Sequence, residues 1–292
     1  MAEPNYEKRG IGPLARKVIT LSHHFSYYLA KRYPQKLDID FVSGYPRSGT
    51  VWVTQMFSDY LEKPFADLSF LPIAFPSVMH GHYIYKDDGP VKIYVLRDGR
   101  DAYTSLFYYL GRKLPATKND TKNHVKKYFP YVDTKSELKY SDFSTFLELI
   151  SENPMGTKYN WNDHVLLSLN NSKVPVVRYE NLLNDCFDEM KLCLETVLQK
   201  PVNEEKLKST VYKYSISRQI GEQQGKVRNE SFIRKGKTGD WVNTFDIKSV
   251  EYFHKTYRKS LEISGYEKND EWVEEFSKRK PRSDDFVFNK NI

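Results

Sequence analysis

The sequence predicts an α/β fold, a central parallel sheet flanked by helices, on three observations. Short apolar runs rich in β-branched and aromatic residues recur along the chain. Helical patterns follow them, and loops punctuated by glycine, proline or arginine stand between. At 292 residues the chain can bury one sizeable core, so a single domain over residues 1–292 is expected. An aromatic share of 15%, carried by 22 Tyr and 17 Phe, argues against a disordered chain.

The elements follow in order. Residues 1–10 are polar and lack the apolar run of a leader; the longest apolar stretch, Phe70 to Met79, is broken by Pro72 and Pro76. No signal peptide or spanning helix is expected, and with them no membrane partner and a cytoplasmic location. Ile11 to Arg32 reads as an amphipathic helix that ends before Pro34. Ile39 to Ser43 reads as a strand running into Gly44-Tyr45-Pro46-Arg47-Ser48-Gly49-Thr50, with a helix from Val51 to Leu61 behind it. Val91 to Leu96 is a second buried strand; it stops at Arg97, and a helix runs from Ala102 to Leu110. Val174 to Val177 is a third, followed by a helix from Leu182 to Leu198. Gly111 to Tyr140 is lysine-rich and poorly periodic, fitting a lid and a plain solvated insertion equally. The tail from Lys278 to Ile292 is charged and reads as extended or docked on the surface.

Lysine and arginine exceed aspartate and glutamate by 45 − 38 = +7. A basic balance suits an anionic partner, without saying whether nucleic acid, membrane or a charged small molecule. The two cysteines, Cys186 and Cys193, exclude a disulfide scaffold and a thiolate zinc site and read as half-buried free thiols.

Three loops carry chemistry. Gly44 and Gly49 are spaced as in a Walker loop, but Thr50 stands where its lysine belongs. What remains is Arg47, Ser48, Gly49 and Thr50 entering a helix, which suits a phosphate and is also a common N-cap pattern. Arg97 ends a strand, where open α/β sheets bind ligands, with Ser105 eight residues on. A salt bridge from Arg97 to Asp98 or Asp101 is the bland alternative. Ser231 to Trp241 holds three cations and two glycines in eleven residues, fit to wrap a phosphate.

Together these loops resemble the cytosolic-type sulfotransferases, which use 3′-phosphoadenosine 5′-phosphosulfate (PAPS) and release adenosine 3′,5′-bisphosphate (PAP). Tyr45-Pro46-Arg47-Ser48-Gly49-Thr50-Val51-Trp52 is similar to that family's 5′-phosphosulfate loop. Arg97 through Ser105 is similar to its 3′-phosphate strand and helix. Arg234-Lys235-Gly236 through Gly239-Asp240-Trp241 resembles its signature near the C-terminus, and Tyr179-Glu180-Asn181-Leu182 its Y-E-[DN]-L element. Order and spacing agree from about Phe41 to Phe245. The resemblance implies a P-loop-like nucleotide-binding fold and a sulfuryl transfer to a hydroxyl or amine of a small-molecule acceptor, with no nucleic acid bound. It implies that Arg47, Ser48, Gly49, Thr50 and Val51 line the phosphosulfate. Trp52 would stack on the adenine, with Tyr179 and Ser215 at its edge. Arg97, Ser105, Arg234, Lys235 and Gly236 would hold the 3′-phosphate. Tyr45, His80, Trp161 and His164 would line the acceptor site.

The departures from that pattern are informative. Arg47 replaces the family's usual lysine; its charge can assist the leaving group, but it cannot serve as an acid at neutral pH. The K-T-H segment becomes His80-Gly81-His82, with His82 matched to the catalytic base and His80 to the lysine. Residues two apart share a face in extended chain, so both histidines are candidates for the reacting end. The family's C-terminal dimer motif is not visible after Phe245, leaving monomer and dimer both open. No metal is required for such a transfer. Two rival readings stand beside this one: a nucleotide-dependent small-molecule kinase, opposed by the missing Walker lysine, and a basic nucleic-acid-binding protein, opposed by cations gathered at strand ends.

Overall fold

The structure is a computed structural model and describes residues 13–66, 69–84, 89–111, 126–130, 139–170, 173–218 and 236–279. Helix α1 (Pro13–Arg32) and the single turn α2 (Pro34–Leu37) precede strand β1 (Ile39–Gly44). Helix α3 (Thr50–Leu61), strands β2 (Ser77–Gly81) and β3 (Val91–Leu96), and helix α4 (Gly99–Gly111) follow. Next come α5 (Asp142–Glu152), α6 (Trp161–Leu169), β4 (Val176–Arg178), α7 (Tyr179–Asn184), α8 (Cys186–Leu198) and α9 (Glu204–Lys213). A 3-10 turn (Asp240–Asn243), α10 (Ile247–Ile263) and α11 (Glu271–Ser277) complete the described chain.

The four strands make one parallel sheet in the order β2-β1-β3-β4. Every residue of β1 is buried, as a strand covered on both faces requires. Alternation along β3 divides the core. Ile93 and Val95 join Val53, Met56, Phe57 and Leu194 on one face, while Tyr94 and Leu96 join Phe107, Phe146, Trp161 and Phe253 on the other. A smaller cluster ties Ala30 of α1 to Phe41, Met79 and Val91.

Three local differences from the expectation have physical reasons. Strand β2 was not foreseen: five residues of mixed polarity behind Pro76 give no periodic signal, and pairing with β1, with a parallel bridge from Val78 to Phe65 on the other side, makes them a strand. The helix expected over Leu182 to Leu198 is two helices, because the Asp185 carboxylate accepts the Asp188 N–H at 3.0 Å and starts a new helix there. The strand expected at Val174 opens at Val176 and runs to Arg178. Cys186 is half-buried and Cys193 buried, both free, and burial pushes the Cys186 thiol up to about 12. Residues 112–125 and 131–138 of the Gly111 to Tyr140 stretch, and 280–292 of the tail, lie outside the described residues.

Candidate active site

Strands β1 and β3 end side by side, with Gly44 opposite Val95, so the loops at their carboxyl ends meet. Arg97 Nη1 donates to the Arg47 carbonyl at 2.9 Å and ties one loop to the other. The loop turns sharply. Arg47 has φ 71, unusual for a side-chain-bearing residue, and Gly49 has φ 92 as it enters α3. A Cβ on Gly49 would also stand 2.8 Å from the Tyr179 ring. Ser48 Oγ and Arg97 Nε are buried with no hydrogen-bond partner among the described residues. Two orphaned donors beside the positive end of α3 fit a phosphate, which carries acceptors for both.

The Arg47 side chain reaches α4. Its Nε donates to Ser105 Oγ at 3.1 Å, and its guanidinium lies 4.8 Å from the centre of the Tyr109 ring. Arg47 was expected at the 5′ end of the nucleotide and Ser105 at the 3′ end; the structure puts Arg47, Arg97 and Ser105 in one cluster. The salt bridge considered for Arg97 with Asp98 is not formed, since Asp98 pairs with Arg100 at 2.7 Å.

Next to this cluster stand the flat rings. Trp52 donates its indole N–H to the Tyr214 carbonyl at 2.8 Å and meets Tyr179 edge-on at 6.1 Å. The Arg97 guanidinium lies 4.2 Å from the centre of the Tyr179 ring. Ser215 follows Tyr214 and shares a 3.3 Å hydrogen bond with Ser217. Val51 and Thr50 are buried in the first turn of α3. Of the signature stretch, Gly236 is described, while Arg234 and Lys235 lie outside the described residues.

Sequence reasoning weighed the residue that presents this stretch only as a salt-bridge partner for Arg97. Asp101, in the first turn of α4, accepts the N–H of Gly239 at 2.7 Å and of Trp241 at 3.0 Å. Burial raises its carboxyl above the usual range, opposed by the charge of Arg97 and by those two N–H donors. The contact spans 138 residues, so no local pattern announces it.

The histidine segment sits beside β1. His82 Nδ1 lies 2.7 Å from the Gly44 carbonyl. A carbonyl only accepts, so Nδ1 carries the proton and Nε2 is the basic nitrogen. His80 and His82 face one another edge-on at 6.2 Å, the shared face expected of residues two apart. Side-chain donors hold each carbonyl of this segment in turn. His23 Nε2 donates to His80 O at 2.8 Å, and Ser43 Oγ to Gly81 O at 3.3 Å and Tyr83 O at 2.5 Å. His164 Nε2 donates to His82 O at 3.3 Å.

Both supporting histidines are neutral at ordinary pH. Burial lowers His23 to about 4, helped by nearby His80, and lowers His164 to about 3, helped by nearby His82. With Nε2 donating, His164 Nδ1 accepts the Tyr94 hydroxyl at 2.9 Å. Tyr45, Trp161 and His164 were expected beside the acceptor. All three are fully buried, and Trp161 donates its indole N–H to the Arg97 carbonyl at 3.1 Å. Their contacts are with the frame beneath the loops.

Comparison with known proteins follows the same line. A family model described as the sulfotransferase domain matches residues 87–265, more than half of the chain. A curated amine sulfotransferase of Oryctolagus cuniculus is 23% identical over 266 residues, covering 76% of this chain and 80% of that protein. Among solved structures, a mouse sulfotransferase complexed with PAP has a TM-score of 0.58 at 21% identity, covering 89% of this chain and 96% of that one. A retinol dehydratase complexed with androsterone and the inactive cofactor PAP has a TM-score of 0.55 at 16% identity, covering 89% and 95%. At these identities the structural likeness establishes the fold.

Proposed function

The chain belongs to the sulfotransferase-domain family, and on that premise we propose that it moves a sulfuryl group from PAPS to a hydroxyl or amine of a small-molecule acceptor, with His82 as general base. The observation that carries this reading is the 2.7 Å contact of His82 Nδ1 with the Gly44 carbonyl. Gly44 is also where the phosphate-fitting loop begins, so one residue joins the base to the donor side. The family-model match takes in Arg97, Ser105, Tyr179 and the Gly236 to Trp241 stretch. It starts after the Tyr45 to Trp52 loop and His82, whose roles rest on the motif and on this geometry.

When bound, PAPS supplies the sulfuryl group and leaves as PAP. Such transfers pass through a loose transition state in which charge gathers on the leaving phosphate. Ser48 Oγ, the loop N–H groups and the first turn of α3 are the donors that meet that charge. Arg97, Ser105 and Arg47 form the neighbouring anion cluster, with Arg234, Lys235 and Gly236 as the further candidates for the 3′-phosphate. We assign Arg47 to the 3′ end, since its Nε donates to Ser105 Oγ, in place of the leaving-group role that the motif implies. Trp52, Tyr179 and Ser215 are the adenine candidates. His82 Nε2 takes the acceptor's proton as the new bond forms, and His80 stands beside it at the acceptor end.

The names of the relatives cover an amine acceptor and proteins solved with androsterone or retinol, so both amine and hydroxyl acceptors stay within the proposal. Calorimetric titration tests the donor site. Two phosphate positions predict PAP binding tighter than AMP by one or two charge-assisted bonds, about 1.5–3 kcal/mol each. Equal affinity for PAP and AMP would remove the 3′-phosphate site from the account.

A further inference from the structure

Helix α1 buries one side through Ile19, Ser22, Ser26 and Ala30 and carries an apolar line on another. Leu14, Val18, Leu21, Phe25 and Tyr28 follow at alternating steps of four and three residues, and all are exposed, Leu14 at 76% and Leu21 at 70%. At helical spacing the five fall within an arc of about 80°. The stretch that leads into β2 adds exposed Phe70, Leu71 and Phe75 and is tied to α1 where the Ile73 N–H donates to Ser26 Oγ at 2.8 Å. Large apolar side chains normally surface singly; here two neighbouring segments present a set of them.

Charge selects the occupant. The twenty residues of α1 include Arg16, Lys17, Lys31 and Arg32 and neither aspartate nor glutamate. Lys17, His24 and Lys31, seven apart, run along one margin of the apolar line, and all three are exposed. A second copy laid antiparallel on this line sets Lys17 of one helix against Lys31 of the other. Laid parallel, it seats Arg32 in the apolar seam, four residues beyond Tyr28. An anionic phospholipid surface meets neither conflict: it takes apolar side chains at the acyl boundary and cations at its headgroups.

We propose that α1 and the Phe70 to Phe75 stretch seat this protein on anionic phospholipid membranes, the helix lying along the surface. No helix among the described residues is long and apolar enough to cross a membrane, and surface seating needs none. The proposal departs from the expectation of no membrane partner, which rested on the lack of a spanning segment.

Sedimentation of the full chain with vesicles tests it. Vesicles of phosphatidylcholine are compared with vesicles in which about a third of the lipid is phosphatidylserine. The expected result is binding about ten-fold tighter to the phosphatidylserine vesicles, weakening as salt rises. Leu21→Glu with Phe25→Glu should lose about ten-fold in binding, and Lys17→Glu with Lys31→Glu should lose the preference for phosphatidylserine. Circular dichroism melts of the variants check that they fold, and the salt dependence of the unaltered protein stands as a test without any variant. Equal sedimentation with both vesicle types, or with neither, overturns the proposal. So does light scattering that shows a dimer which the Leu21→Glu, Phe25→Glu variant takes apart.

Discussion

Replacing His164 separates positioning from bulk stability. His164 is fully buried, donates through Nε2 to the His82 carbonyl and accepts the Tyr94 hydroxyl on Nδ1. Its pKa is lowered to about 3 by burial, with nearby His82 adding to the shift. In the unfolded chain the same group titrates near its ordinary value of about 6.5. The folded state therefore binds fewer protons below that value, and stability present above pH 6.5 is lost as pH falls toward 3. The slope is about 1.4 kcal/mol per pH unit, so lowering pH from 6.5 to 4.5 removes about 2–3 kcal/mol through this residue alone. Neither glutamine nor asparagine titrates, so both variants should flatten the stability–pH profile by that slope. They differ in reach: glutamine carries its amide nitrogen near the place of Nε2, asparagine near Nδ1. His164→Gln should keep the donor to the His82 carbonyl and hold kcat within several-fold. His164→Asn leaves that carbonyl unpaired and displaces His82, for a loss of about 10- to 100-fold in kcat. Urea unfolding from pH 7 to pH 4.5 reads the slope, and steady-state kinetics at saturating donor reads kcat. Equal kcat in the two variants would refute the positioning role, and an unchanged slope would refute the buried neutral histidine.

Two other replacements test the donor side. Arg47→Ala should raise the donor's KM with little change in kcat if Arg47, whose Nε donates to Ser105 Oγ, holds the 3′-phosphate as proposed; a fall in kcat at saturating PAPS would restore the leaving-group role. Asp101→Ala removes the acceptor of two backbone N–H groups and frees the Gly239 to Trp241 turn, with a destabilisation of about 2–4 kcal/mol and weaker PAP binding; thermal unfolding and calorimetry check this, and unaltered PAP affinity would uncouple that turn from the nucleotide site.

How much the sequence discloses follows from the range of each interaction. Strands β1 and β3 were legible because buried apolar runs end at Gly44 and Arg97, marks that need no tertiary knowledge. The phosphate-fitting loop was legible for the same reason, since its glycine, serine and arginine are contiguous. Strand β2 was hidden because Ser77 to Gly81 is a strand through pairing with distant segments, β1 and Phe65. His23 was hidden among the polar residues of an amphipathic helix; its contact with His80 spans 57 residues. Motif matching brought Trp161 and His164 to notice but could not tell that both are buried, a property of the α6 packing. The direction of Arg47 is set by Ser105, which lies 58 residues away.

If His82 is the base of a sulfuryl transfer whose donor sits on the neighbouring loop, its removal stops transfer and spares donor binding. The direct measurement is turnover of PAPS by the unaltered protein and by His82→Ala across amine and hydroxyl acceptors, with PAP affinity measured on both by calorimetry. His82→Ala should lose about a hundred- to ten-thousand-fold in kcat while PAP binds as before. Full turnover by His82→Ala, or a matching loss of PAP affinity, would contradict it.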